Sequence, residues 1–139
     1  MFLEIKNTTI GYQKPLISEV NASLDFGDVC LLIGNNGVGK TTLIKSILHQ
    51  ISTLNGEILI HQKNIEKLTD KEIAEQIAVV FSKAQIPANY TTEDLISLGK
   101  FIHLPYYYQL EKEDLEDVNN IISQLKLEEY RTTSLQKLS

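Results

Sequence analysis

The chemistry in this chain is concentrated in Gly34-Asn35-Asn36-Gly37-Val38-Gly39-Lys40-Thr41, which satisfies the pattern GxxxxGK[ST] and is followed by Thr42. Each residue type answers a need of triphosphate binding. Glycines let backbone N–H groups turn inward and reach phosphate oxygens without obstruction by side chains. Lys40 supplies a cation for β- and γ-phosphate oxygens, and the Thr41 hydroxyl supplies a ligand for Mg2+. Thr42 and the first helical turn add N–H donors at the positive end of a helix dipole. The expected cradle for ATP is therefore Asn35, Asn36, Gly37, Val38, Gly39, Lys40, Thr41 and Thr42.

A cradle of this kind needs a strand to deliver it and a helix to receive it. Val29-Cys30-Leu31-Leu32-Ile33 is apolar without alternation, which predicts a strand covered on both faces. The apolar positions Leu43, Ile44, Ile47, Leu48 and Ile51 follow at helical spacing, so strand, loop and helix read as half of a parallel βα unit. Before them, Phe2 to Ile10 and Leu16 to Phe26 alternate loosely and predict two antiparallel strands separated by Gly11 and Pro15. Beyond them, Gly56 opens a short strand, Asp70 caps a helix over 71–76, and Ile77 to Phe81 reads as a second buried strand. Thr91 or Thr92 then starts a helix over 93–99, and Lys112 to Lys126 carries Leu115, Val118, Ile121, Ile122 and Leu125 at helical spacing.

Composition narrows the classes. The 139 residues hold 13 Lys+Arg against 18 Asp+Glu, a formal net charge of -5. The excess of acid lies on the helix from Lys112 and reads as a solvated face. Arg131 is the sole arginine and there is no basic run, so a nucleic-acid surface has little to be built from. Cys30, inside the apolar run, reads as a small buried core residue. His49, His61 and His103 are far apart and share no ligand spacing with Cys30, which argues against a metal site made of protein ligands alone. No apolar stretch approaches the roughly 20 residues that span a bilayer. No secretory leader is read at the N-terminus, and a reducing, cytoplasmic setting is expected.

With these motifs in view, the whole chain resembles the ATP-binding subunit of an ABC transporter. The resemblance implies an α/β fold: a P-loop NTPase core with an N-terminal antiparallel β subdomain over about residues 1–90, and the beginning of a helical subdomain over about 91–139. It implies that Tyr12, some two dozen residues before the loop, stacks on adenine. It also places a glutamine that contacts Mg2+ and the attacking water just after the strand ending at Phe81. Here the chain departs from the family, since Ser82 and Lys83 stand there and Gln85 comes slightly late. Ser82 or Gln85 is the candidate for that role. Thr91 to Lys100 and Gly99-Lys100-Phe101 resemble the branch that imports iron chelates, haem and cobalamin.

Leu138-Ser139 resembles the first two letters of the family signature LSGGQ. The resemblance implies that the remaining hydrolytic groups lie beyond it, so that the 139-residue chain binds MgATP and has little or no hydrolytic activity of its own. The implied partners are a transmembrane permease subunit and a second copy of the ATP-binding subunit. The implied location is cytoplasmic, peripheral on the inner face of the cell membrane. The alternative is an ABC-type ATPase without a transport role, acting in translation or DNA repair. A small-molecule P-loop kinase would need an arginine-rich lid, which one arginine cannot supply.

Overall fold

The computed structural model describes residues 1–81, 89–103 and 109–138. The chain divides into two compact units, Met1–Ala78 and Val79–Ser139.

The first unit is built on a four-stranded antiparallel sheet in the order β2-β1-β3-β4, with β1 Leu3–Gly11, β2 Pro15–Leu24, β3 Asn55–Ile60 and β4 Lys63–Asn64. The expected pair of antiparallel strands is present as β1 and β2. Along β1, Leu3 and Ile5 face the core at odd positions, whereas Thr8 and Ile10 do so at even ones. The change of parity is made at Asn7, whose φ is +45°, where the register slips between Ile5 and Thr8. This is a β-bulge; without the extra residue Ile10 would point away from the core. Polar side chains occupy the groups it frees. The Asn7 N–H donates to Asn21 Oδ1 at 2.9 Å, and Thr8 Oγ1 donates to the carbonyls of Lys6 and Glu57 at 3.0 and 2.9 Å.

Helix α1, Lys40–Ile47, brings Leu43 into a core of Leu3, Ile5, Ile10, Ile58, Ile60 and Ile65. The next helix, α2 Asp70–Ala74, begins one residue earlier than expected because Thr69, not Asp70, is its N-cap. The Thr69 hydroxyl accepts from Glu72 N–H, and the Glu72 carboxylate accepts from Thr69 N–H, a reciprocal capping box. Ile73 is buried, and Ile77 packs against the core from beyond the helix.

Two expected strands are not formed. Val29 to Ile33 has no ladder partner and lies exposed, with Val29 98% accessible, and Cys30 is exposed rather than buried. Ile77 to Phe81 likewise forms no strand, with Val80 99% accessible. The reason is pairing. Strand character in a buried run is conferred by neighbours on its edges, and the described sheet pairs β1 with β2 and β3 and β3 with β4, giving neither run a partner.

The second unit contains α3 Thr92–Leu98 and α4 Lys112–Gln124. Thr91 caps α3 in a second capping box with Asp94. The chain beyond α4 returns to the start of α3, where Glu93 N–H donates to the Arg131 carbonyl at 3.1 Å and Leu135 N–H to the Tyr90 carbonyl at 3.0 Å. Val118 and Ile122, one turn apart on α4, are its buried apolar side chains. No helix among the described residues is long and apolar enough to cross a membrane.

Candidate functional site

The glycine-rich loop ends at Gly39, the N-cap of α1, with φ +106° and ψ 9°. The first bond of the helix runs from Leu43 N–H to the Gly39 carbonyl at 2.8 Å. The N–H groups of Lys40, Thr41 and Thr42 therefore lie in the helix start, where an α-helix leaves its donors without internal acceptors. Gly39 brings no side-chain cap to them and the first turn holds no acid. An anion is the complement of that helix end.

Lys40 is held in position by the loop itself. Its Nζ donates to the Gly34 carbonyl at 2.5 Å and to the Asn35 carbonyl at 2.8 Å, so the side chain bridges from the start of the helix back to the start of the loop. An ammonium has three donors, and two are engaged here. The third remains for a phosphate oxygen. The Val38 N–H turns back on the Asn35 carbonyl at 3.4 Å, which keeps the loop tightly wound.

A cavity of about 200 Å³ opens beside the loop, lined by Leu16, Asn36, Gly37, Gly39, Lys40, Thr41 and Thr42. Six of the eight expected cradle residues are brought together there. Asn35 takes part through its carbonyl on Lys40, and Val38 is exposed on the outside of the turn. Tyr12 is exposed, 64% accessible, in the turn joining β1 to β2, and is not part of the cavity wall. Leu16, at the β2 end of the same turn, does line the cavity. Sequence reasoning missed it, because an aliphatic residue in a strand carries no chemical signal and its place on the loop is fixed by packing. Ser82 and Gln85 lie outside the described residues. No group of three or more His, Cys, Asp or Glu among the described residues is placed to hold a metal.

The β1–β2 hairpin, the glycine-rich loop and α1 together carry the sequence and local geometry of the P-loop class. The family profile of the ABC transporter matches residues 17–139, and the chain belongs to that family. It is 29% identical over 138 residues to the petrobactin import ATP-binding protein FpuD of Bacillus anthracis, covering 99% of this chain and 50% of that protein. It is 32% identical over 139 residues to the petrobactin import ATP-binding protein YclP of Bacillus subtilis, covering 99% and 54%. Among solved structures, a nucleotide-free ATP-binding cassette from an ABC transporter superposes with a TM-score of 0.80 at 25% identity, covering 99% of this chain and 59% of that one. A dimeric cassette bound to ADP and Pi superposes with a TM-score of 0.77 at 20% identity, covering 99% and 63%. The expected α/β fold of an ABC ATPase is thereby confirmed, and the family carries nucleotide binding with it. The chain spans about half the length of the curated relatives it matches.

Proposed function

We propose that this chain supplies the nucleotide-cradling part of an ATPase subunit that powers import of an iron chelate, haem or cobalamin. The observation that carries the reading is Lys40, fixed across the loop by the Gly34 and Asn35 carbonyls at the head of a helix whose first turn is free of acid. Lys40 and the α1 N–H groups take the phosphates of ATP. The Thr41 hydroxyl, exposed in the first turn, would supply the protein ligand to Mg2+ beside phosphate oxygens. Tyr12 stacks on the adenine from the hairpin turn; Ser82 or Gln85 serves the water and the metal.

Iron-chelate cargo is supported by relatives named for petrobactin import. The partners are a permease subunit and a second copy of the ATP-binding subunit, the latter supported by the dimeric cassette. The protein works at the inner face of the membrane, bound to the permease.

Calorimetric titration with MgATP tests the cradle. Lys40→Ala is expected to weaken binding by about a hundredfold, the loss of a charge-assisted contact worth roughly 3 kcal/mol. Equal affinity in the two proteins would overturn the assignment.

A further inference from the structure

We propose that Ile17 is a positioning residue for the phosphate cradle: its side chain sits on Gly39 and fixes the backbone from which Lys40 and the α1 N–H donors are presented. A Cβ built on Gly39 would lie 2.9 Å from Ile17 Cδ1, 3.1 Å from Ile17 Cγ1 and 3.0 Å from Leu16 Cδ2. The glycine is thus demanded twice, by its positive φ and by the two aliphatic side chains pressed against its Cα. It is itself buried, in a loop whose neighbours are exposed.

The start of α1 has no side-chain cap, so nothing polar from Gly39 fixes the first turn. Packing takes over that task, and the two residues that supply it differ in what stands behind them. Ile17 faces Ile10 across the β1–β2 ladder and packs against the apolar core, in which Ile10 is fully buried. Leu16 is exposed and forms the cavity wall. Rigidity therefore passes from the sheet through Ile17 to Gly39, and from Gly39 to Lys40. A displaced Gly39 would disturb both carbonyl bonds of Lys40 and the line of helix N–H groups together.

The inference rests on the reading of this loop as a nucleotide cradle, and the experiment separates the two. Inorganic tripolyphosphate and MgATP are titrated into the 139-residue chain and into Ile17→Val, which removes only Cδ1, and Ile17→Ala. Amide exchange is followed at Leu43, whose N–H donates to the Gly39 carbonyl, with Ile5 and Ile58 as internal references for the sheet. A cradle role predicts equal losses for the two ligands, about threefold in Ile17→Val and about tenfold in Ile17→Ala, because the phosphates are what is misplaced. It also predicts faster exchange at Leu43 with the sheet references unchanged. Leu16→Ala, which leaves the core anchor in place, is expected to leave that exchange unchanged.

Unchanged tripolyphosphate affinity and unchanged exchange at Leu43 in folded Ile17→Val and Ile17→Ala would overturn the proposal. So would acceleration spread evenly over Ile5 and Ile58, which is plain destabilisation. If Ile17→Ala does not fold, Ile17→Val decides. Failure of the unsubstituted chain to bind either ligand would overturn the nucleotide reading, while the exchange data would still judge Ile17.

Discussion

The two compact units are stabilised by different physics. Met1–Ala78 buries a contiguous set of branched aliphatic side chains, among them Ile10, Ile58, Ile60 and Ile65, each with almost no exposed surface. Among the described residues of Val79–Ser139, Val118 and Ile122 are the buried apolar side chains, and ion pairs join its elements. Arg131 grips Glu93 through Nε at 2.9 Å and through a second nitrogen at 2.5 Å. Lys100 lies between Asp114, at 3.6 Å, and Asp117. Apolar burial has little dependence on pH or ionic strength, whereas partly exposed ion pairs respond to both. The apolar core of the unit holding the glycine-rich loop is thus the part less sensitive to solution conditions.

The largest test of this contrast is Ile58→Ala. It is expected to cost about 3 kcal/mol, the usual range for opening a cavity at a fully buried isoleucine. Amide exchange should show β1 and β3 losing protection while α3 and α4 keep theirs; uniform loss would show the units to be one cooperative body. Next comes Gly56→Ala, at a φ of +75° with the new Cβ placed 2.4 Å from the carbonyl oxygens of Lys6 and Asn7. About 2 kcal/mol is expected from strain, read as a lower urea midpoint, again confined to the first unit. Thr91→Ala removes the α3 cap and should cost about 1 kcal/mol in the second unit.

The smallest effect is the most diagnostic. The Arg131 guanidinium holds the Glu93 carboxyl below the usual carboxylate range, and hydrogen bonds from Thr91 do the same for Asp94. Depressed carboxylates stabilise the fold fully above their unfolded pKa, and that stability is lost as pH falls through their folded values. Lowering pH from neutrality below the ordinary carboxylate range should therefore release α3 and its contact with residue 131 before the sheet opens. Arg131→Gln should flatten the response with little loss of stability at pH 7. Simultaneous acid melting of both units would erase the distinction. The Glu72 carboxyl of the first unit is also lowered, by its bonds from Thr69, so α2 is the part of that unit expected to share the acid response.

Much of the site was legible because its chemistry is local. The loop from Gly34 to Thr41 is defined by residues adjacent in sequence, and α1 follows from its own periodicity. The α2 cap was misplaced by one residue because Thr69 and Asp70 are both capping types; Glu72, three residues after Thr69, is the signal that separates them. Strand pairing was not legible. Val29 to Ile33 has the composition of a buried strand, but composition does not say which backbone will lie beside it. The bulge at Asn7 was hidden for a related reason, since it appears in the sequence only as a loosened alternation. Leu16 and Ile17 drew no notice because their contribution exists only once β2 is folded onto the loop.

Lys40 also bears on the speed of binding. A free lysine at the mouth of a phosphate site samples many rotamers, and an arriving anion must wait for, or induce, the productive one. With its ammonium already seated between two loop carbonyls, this lysine has given up that freedom before the ligand comes. In the proposed cradle, capture of a triphosphate would be a matter of encounter and shedding of water, and differences in affinity among loop variants should be written mainly in how long the anion stays.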